Sequence, residues 1–480
     1  MANPPRLLAI GMDAFPPALL EEWCASGDLP NMAILLQNGR YTRVDSVAGI
    51  FPGSVWPTFS ATADPSFHGI HHFMHWDPAR MTFRRPAPDW CDYTPFWRRP
   101  MEERPPMIIF DLPFSFPQRE PVPGLVEVHG WGLHDELAPP FSQPRPLLGE
   151  LRRRHGRSAM RPDVLGPKPV ELLLRELEGV VDSVQRRAAA IEDLARQFPW
   201  RFFLAPFAET HRAGHWYWTE RSTGVSREGL KRVAVAIDAV LPRLRALVGP
   251  DDHFALFSLH GMGDLYDLDR FSEPVMDYLE PPSTRSFDPV RILNRALPGG
   301  LRRTLSAALS TRMRDRLLGH YMATGHDWSK TRLVGHPSDG NLYLRLNLQG
   351  RERDGVVAAA DGGAILVGAA ESALAMHDLD GNPVLREAVL TSTLYGDGSR
   401  RYLLPDLILR PSGRVPDTIV MEDGTRLHVP WRGWRDGDHR PEGFCIQAGP
   451  GIAAGTTAPA LPQQELAYYL GEPADLNFPR

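Results

Sequence analysis

Cysteine is scarce in this sequence, which contains three cysteines among 480 residues. They are widely spaced and form no CxxC pair, so the sequence favours a reducing compartment over a disulfide-bonded secreted fold. Long apolar runs are also lacking, because no stretch approaches the roughly 20 residues that span a bilayer. The first residues do not show the pattern of a signal peptide either. We therefore expect a cytoplasmic protein without a membrane partner.

Neither sign of charge dominates the sequence: 53 lysines and arginines against 58 aspartates and glutamates leave a net charge of −5. Such a chain has no global basic field, which argues against nucleic acid as a partner. The hydrophobic fraction of 42% is enough for a sizeable core. At roughly 100–200 residues per domain, the length allows two or three domains, or one large α/β domain with insertions.

Three continuous apolar runs each end shortly before a residue that can bind a metal ion. Such runs are typical of buried strands in a parallel sheet, and helical patterns lie between them. Because the carboxyl ends of parallel strands share one edge of the sheet, we expect the polar residues after them to meet there. These runs are residues 6–11 before Asp13, residues 202–207 before Glu209 and His211, and residues 254–257 before His260.

The sequence therefore predicts an α/β fold with a central, mostly parallel sheet and helices on both faces. Residues 265–327 differ in character, being rich in Arg, Pro and Ser with short helical pieces. We interpret them as an insertion or lid. The predicted catalytic core then comprises residues 1–264 and 328–480.

His211 and His215 are spaced i, i+4, which on a helix places both imidazoles on one face, within reach of one cation. An isolated pair of this kind is more often two surface histidines, but this pair directly follows an apolar run. Glu209, just before it, can either bind the metal or accept a hydrogen bond from a ligating imidazole. His439, in a glycine-flanked loop, is a further candidate ligand. Its neighbour Arg440 can bind an anionic substrate or form a structural ion pair.

Ser54 lies in the segment FPGSVWPTF, before a predicted helix that has Pro57 in its first turn. A serine at a helix N-terminus lies beside free N–H groups that can hold an anion, and a metal can activate its hydroxyl as a nucleophile. The structural alternative is an ordinary N-cap serine. Three other hydroxyls lie further along the same stretch and leave the choice of nucleophile open: Thr58, Ser60 and Thr62.

Two further polar groups receive structural interpretations. The histidines after the predicted nucleophile helix are interpreted as part of a polar loop, and three arginines that can bind an anion are interpreted as surface or structural residues. These residues are His68, His71, His72 and His75 in the first group, and Arg332, Arg345 and Arg351 in the second.

Taken in order along the chain, the motifs resemble the type I phosphodiesterase/nucleotide pyrophosphatase branch of the alkaline phosphatase superfamily. The match covers nearly the whole chain, and its specificity comes from the order of the blocks. The matching blocks are Gly11-x-Asp13, GDLPN at 27–31, the Ser54 stretch ending in PSFHGI at 65–70, ETHRAGH at 209–215, SLHGM at 258–262, NLQGRE at 347–352 and DHRPEG at 438–443.

This resemblance implies an alkaline-phosphatase-like fold and two divalent metals, often zinc, beside a serine or threonine nucleophile. One metal would bind His211, His215 and His439, and the other would bind Asp13 and His260, with Ser54 near or between them. The implied reaction is hydrolysis of a small anionic ester, a phosphate mono- or diester and possibly a phosphonate or sulfate, through a covalent intermediate on serine.

Two departures from the family pattern affect the metal sites. The family usually has aspartate where this chain has Leu259 and again where it has His211, so two anionic ligands are missing. One metal site is therefore expected, with zinc, iron or manganese as its ion, and a second site is less well supported. The spacing from Ser54 to Pro57 is also one residue longer than in many relatives. Two alternatives stay open: a mononuclear metalloenzyme of the same fold with non-hydrolytic chemistry on a specialised metabolite, and a catalytically silent binding protein.

Overall fold

A computed structural model describes residues 4–88, 90–91, 93–117, 120–132, 138–157, 170–219, 227–280, 309, 311–431, 435 and 437–479. Most of these residues belong to regular elements. The strands are β1 Leu7–Met12, β2 Arg40–Asp45, β3 His75–Asp77, β4 Thr82–Arg84, β5 Met107–Phe110, β6 Leu125–His129, β7 Phe141–Gln143, β8 Phe202–Phe207, β9 His253–Ser258, β10 Gly261–Asp264, β11 Leu333–His336, β12 Leu342–Leu346, β13 Leu385–Leu390, β14 Leu407–Pro411, β15 Thr418–Val420, β16 Arg426–His428, β17 Gly437–Arg440, β18 Glu442–Ala448 and β19 Thr456–Pro462.

Helices connect most of these strands, and several begin at a proline, whose fixed φ suits the first turn of a helix. The α-helices are α1 Pro17–Ala25, α2 Pro30–Asn38, α3 Val55–Ala61, α4 Pro65–His68, α5 Leu147–His155, α6 Val170–Gln197, α7 Glu209–Trp216, α8 Glu228–Arg245, α9 Ser272–Leu279, α10 Thr311–Ala323, α11 Ala359–Leu374, α12 Thr391–Leu394 and α13 Leu466–Gly471.

The chain divides into two compact units. The first comprises Met1–Asp64, Tyr93–Leu265 and Arg432–Arg480, and the second comprises Pro65–Asp92 and Tyr266–Trp431. The predicted insertion at 265–327 stays a prediction, because residues 281–308 and 310 lie outside the described residues. Residues 328–431, which the sequence analysis assigned to the catalytic core, group with the second unit.

A nine-stranded sheet forms the centre of the first unit, in the order β19-β2-β18-β9-β1-β8-β5-β6-β7. Five of its neighbouring pairs are parallel and three are antiparallel. Strand β1 lies between β9 and β8 and runs parallel to both. The prediction of a mostly parallel central sheet is therefore confirmed.

Both faces of this sheet are covered by helices. Successive side chains of a buried strand point to opposite faces, so an apolar strand presents an apolar surface to the helices on each side. On β1, Leu8 and Ile10 join an apolar cluster with α1, α2, α6 and α8. Leu7 and Ala9 join a second cluster with α3 and α13. Helix α6 packs on the sheet through one apolar face. The buried side chains of this face recur at helical spacing and include Leu173, Leu177, Val180, Val184 and Ile191.

The second unit contains a four-stranded antiparallel sheet in the order β11-β12-β14-β13. Helices α9 and α11 pack against its apolar side chains. Among the described residues, no helix is both long and apolar enough to cross a membrane.

The histidines that the sequence analysis assigned to a polar loop are buried in the second unit, so that interpretation is wrong. His68, His71 and His75 are at most 1% exposed. The reason is local: His75 Nε2 accepts the backbone N–H groups of His71 and His72, at 3.0 and 3.1 Å, which folds the segment around its ring.

All three arginines interpreted as surface or structural residues form ion pairs in the second unit. Arg345 pairs with Glu352 at 2.7 Å, Arg351 pairs with Asp406 at 2.7 Å, and Arg332 pairs with Glu280 at 3.4 Å. These contacts agree with a structural role, since the guanidinium donors are already taken up by carboxylates of the same unit.

Candidate metal centre

Five predicted metal ligands come together in the first unit at the carboxyl ends of neighbouring strands. Asp13 follows β1, α7 follows β8 and carries two histidines, and the segment after β9 carries one more. The last histidine lies on β17, which pairs with β10 so that Met262 is opposite His439. All five side chains are buried, although each is polar or ionisable. They are Asp13, His211, His215, His260 and His439.

Three of the histidines form a group that can hold a metal ion. Ligating atoms of His211, His215 and His439 all lie within 4.8 Å of one another. The Nε2 atoms of His211 and His215 are 2.7 Å apart, closer than the roughly 3.3 Å expected between two nitrogens on one tetrahedral zinc. A small opening of the group would therefore admit the ion.

Contacts on the far side of each ring orient the two histidines of α7. His215 Nδ1 lies 2.8 Å from the carbonyl oxygen of Gly437, and His211 Nδ1 lies 3.0 Å from Asp13 Oδ2. His215 Nδ1 lies between the Gly437 carbonyl and the Nε–H donor of Arg435, which is 2.8 Å away. The Asp13 carboxylate can only accept, so Nδ1 of His211 carries the proton and its Nε2 presents a lone pair to the centre of the group. This is the arrangement that orients metal-binding histidines in proteins.

The protonation state of His439 also suits a ligand. Burial lowers the pKa of His439 well below its usual range, and the neighbouring His211, His215, His260 and Arg435 lower it further. The imidazole is therefore neutral at physiological pH, which is the form that binds a metal. Three imidazoles are a donor set that zinc accepts readily, with a fourth position left for a ligand.

Asp13 and His260, the predicted second site, are arranged differently. Asp13 Oδ1 accepts the indole N–H of Trp56 at 3.0 Å while Oδ2 accepts the proton of His211. His260 Nδ1 is 3.9 Å from Asp13 Oδ1, and His260 Nε2 is 2.8 Å from His439 Nδ1. Leu259 is buried in the apolar cluster around α3, so no carboxylate stands at that position. In the part of the chain that the structure describes, the three-histidine group is the one set of at least three candidate ligands with this spacing.

Ser54 lies at the N-terminus of α3, where a short 3₁₀ turn over Pro52–Ser54 leads into the helix, and it is fully buried. Trp56, two residues later, makes the contact with Asp13 that ties α3 to the site. Of the other hydroxyl candidates, Thr58 and Ser60 lie inside the helix and Thr62 forms its C-cap. Ser54 is therefore the candidate closest to the start of the helix.

Glu209 points away from the histidines that follow it. Its carboxylate accepts the Ser183 hydroxyl at 2.8 Å and pairs with Arg187 at 3.0 Å. Arg187 also pairs with Asp111 at 3.0 Å, and all three charged side chains are fully buried. Glu209 is not a member of the three-histidine group. Its contacts instead anchor the first turn of α7 to α6.

The two arginines near β17 have different surroundings. Arg440, predicted to bind substrate, donates to the carbonyl oxygens of His439 and Asp264, which joins β17 to the end of β10. Arg435, which the sequence analysis did not select, lies against the ring of His215, with Nε 2.8 Å from Nδ1 and Nη2 2.9 Å from Nε2. Nothing in the sequence WRGWRDGD distinguishes Arg435 from its neighbours, because only the folded chain brings it to His215.

Comparisons with known proteins agree with this architecture. Three solved structures that share the fold cover almost the whole chain at low identity. They are murine ectonucleotide pyrophosphatase/phosphodiesterase 5, an inactive variant in complex with AMP (TM-score 0.52, 12% identity, 99% of this chain and 96% of that one); the human form of the same protein (TM-score 0.52, 10% identity, 99% and 96%); and phosphonoacetate hydrolase from Sinorhizobium meliloti in complex with phosphonoformate (TM-score 0.51, 12% identity, 98% and 95%).

At the level of sequence, no protein with curated function matches the chain significantly. A family model does match: that of the type I phosphodiesterases/nucleotide pyrophosphatases, over residues 7–307. This range includes Asp13, Ser54, the histidine pair of α7 and His260. With more than half of its residues matched, the chain belongs to the type I phosphodiesterase/nucleotide pyrophosphatase family of the alkaline phosphatase superfamily.

Proposed function

We propose that the protein is a metal-dependent hydrolase of a small anionic ester, a phosphate mono- or diester or a related phosphonate or sulfate, with Ser54 as nucleophile. The observation that carries this proposal is the group of three buried imidazoles whose ligating atoms lie within 4.8 Å of one another. Family membership supports hydrolysis of phosphate esters. Two proteins of the same fold were solved with AMP and with phosphonoformate, both of which are small phosphorus-containing anions.

In this proposal His211, His215 and His439 bind one divalent ion, zinc first, with iron or manganese as alternatives because imidazole suits several transition metals. When bound, the ion supplies Lewis acidity and lowers the pKa of a neighbouring hydroxyl. Asp13 accepts the Nδ1 proton of His211 and so keeps Nε2 available for the ion. We expect one metal per chain, because the Asp13 carboxylate is already shared between Trp56 and His211 and Leu259 offers no ligand.

Ser54 performs the covalent step. Its hydroxyl oxygen attacks the phosphorus atom, and the bond from phosphorus to the ester oxygen breaks. The serine proton is transferred to the departing oxygen, which leaves as an alcohol, and water then hydrolyses the phosphoserine to release phosphate and restore the hydroxyl. The side chain is buried in the folded chain. This burial limits competing water around the nucleophile, and it strengthens electrostatic interactions with the anionic substrate.

The test is a comparison of the wild type, Ser54→Ala and Thr58→Val, each loaded with zinc. Turnover of p-nitrophenyl phosphate and bis(p-nitrophenyl) phosphate and the metal content are measured together. We expect Ser54→Ala to abolish turnover while the metal stays bound, and Thr58→Val and the surface control Ser26→Ala to remain active. Full turnover by Ser54→Ala would exclude this nucleophile, and loss of turnover in Thr58→Val alone would transfer the role to Thr58.

A single metal on the three-histidine group would also fit a second candidate, a non-hydrolytic reaction such as phosphoryl transfer, elimination or isomerisation on a specialised metabolite. A tri-histidine site with an open position is compatible with several chemistries. One metal per chain combined with no release of nitrophenol from either ester would favour this candidate, whereas two metals per chain would count against it. Absence of bound metal after gentle purification would favour a binding protein instead.

A further inference from the structure

We infer that Arg435 binds the negatively charged oxygen atoms of the substrate beside the metal ligands. This inference rests on the proposed function, since it assigns the recognition of the anion at the same site. Arg435 is mostly buried, with a side chain that is 17% exposed. Its guanidinium lies against His215, one of the three histidines of the group.

The guanidinium N–H groups of Arg435 that contact His215 would bind a negatively charged oxygen more strongly than they bind an imidazole. Arg435 Nη2 lies 2.9 Å from His215 Nε2, which is the atom that a metal would take, and Arg435 Nε lies 2.8 Å from Nδ1 of the same ring, so the guanidinium lies over the imidazole. A neutral imidazole is a weaker acceptor for a guanidinium than a charged oxygen atom is. When an ion binds Nε2, the Nη2 donor lies next to the ion, where an anionic substrate would bind. The planar fork of arginine matches two oxygens of a phosphate or phosphonate.

The surrounding charges leave room for an anion. Asp438 Oδ1 is 3.8 Å from Arg435 Nη2, too far for a hydrogen bond, and this oxygen also accepts the N–H of His439. Asp13 is held by Trp56 and His211. A divalent ion and the guanidinium together outweigh the carboxylates of Asp13 and Asp438, so the centre presents net positive charge to an anionic ligand.

The contrast with Arg440 makes the assignment specific. Arg440 donates to two backbone carbonyls that hold β10 and β17 together. Replacing it would disturb the pairing of β10 with β17, the strand that carries His439, whereas replacing Arg435 removes a side chain from the surface of His215. The two arginines therefore predict different outcomes, a change in metal content for Arg440 and a change in anion affinity for Arg435.

The experiment is calorimetric titration of inorganic phosphate and of methyl phosphonate into zinc-loaded protein, with zinc content measured on the same samples. We expect Arg435→Met to weaken phosphate binding by about 10- to 100-fold, the range for loss of a charge-assisted hydrogen bond. Zinc content should stay at the wild-type level. Arg435→Lys should recover part of the affinity, because lysine keeps the charge without the fork. The surface control Arg43→Met should bind phosphate as the wild type does.

Several outcomes overturn the inference. They are phosphate binding by Arg435→Met at wild-type affinity, loss of zinc in Arg435→Met, and loss of phosphate affinity in Arg440→Met but not in Arg435→Met. Failure of the zinc-loaded wild type to bind phosphate would also overturn it. Because anion binding needs no turnover, an inactive wild type that binds phosphate through Arg435 would contradict the proposed hydrolysis and leave this inference standing.

Discussion

Asp13 Oδ2 lies 3.0 Å from His211 Nδ1, so the acid after the first strand accepts a hydrogen bond from a histidine 198 positions later in the chain. The same carboxylate accepts the Trp56 indole at 3.0 Å. Asp13 thereby joins α3, the helix that Ser54 precedes, to the histidine group. A carboxylate that accepts the Nδ1 proton of an imidazole in this way orients the ring, as is common for histidines that bind metals.

Replacing Asp13 with asparagine tests this role. Asparagine keeps the shape of the side chain but loses the negative charge that holds a proton on His211 Nδ1. We therefore expect the zinc affinity to fall by about 10- to 100-fold. The affinity is measured by competition with a chromophoric chelator, with Asp28→Asn, at a half-exposed surface position, as the control. An Asp13→Asn protein whose metal count falls from two to one would instead identify Asp13 as a ligand of a second ion.

Removal of the metal is expected to destabilise the first unit. An ion that binds only the folded chain adds about 4 kcal/mol to its stability at a concentration 1,000 times its Kd. Thermal unfolding should therefore shift to lower temperature in excess chelator and return on addition of zinc. His215→Ala removes one of the three ligands and should unfold at the same temperature with and without chelator. A chelator shift that persists in His215→Ala would place the ion elsewhere.

Arg187 provides a test of the buried ion pairs behind α7. The substitution Arg187→Met leaves Glu209 and Asp111 fully buried without their shared cation. Removing one partner of a buried pair costs about 3–5 kcal/mol. Urea unfolding should show this loss, while the exposed control Arg43→Met should change the free energy of unfolding by less than about 1 kcal/mol. Wild-type stability in Arg187→Met would show that the ion pairs do not stabilise the fold.

His68 in the second unit predicts a loss of stability in acid. Burial, with a smaller contribution from Arg400, lowers the pKa of His68 from 6.5 to about 3. The unfolded chain then binds more protons than the folded chain below pH 6.5, so stability is full above that pH and falls as the pH decreases towards 3. The loss from this group is about 1.4 kcal/mol per pH unit.

The substitution His68→Asn isolates this effect, because asparagine keeps an acceptor for the Ile70 N–H, which lies 3.1 Å from His68 Nδ1. Chemical unfolding between pH 4 and pH 7.5 should show a shallower pH dependence in His68→Asn than in the wild type. His320→Asn, at an exposed position of α10, should follow the wild type. Equal slopes in all three proteins would mean that His68 titrates normally in the folded chain.

Local patterns in the sequence determined much of the candidate site. The apolar runs before Asp13, His211 and His260 were sufficient to predict parallel strands whose ends meet, because a buried strand leaves no other place for a polar residue. The i, i+4 spacing of His211 and His215 likewise predicted a shared helix face. The family resemblance then added His439 and Ser54, which local patterns alone leave ambiguous.

Only the tertiary structure decided what these side chains contact. The pairing of β10 with β17 brings His439 to His260 across 179 positions, and it also holds Arg440 on backbone carbonyls. Glu209 forms an ion pair with Arg187 on α6, and Arg435 contacts the ring of His215. Sequence spacing sets which face of an element a residue occupies. Its partners depend on elements far away in the chain, whose packing and charges no local pattern contains.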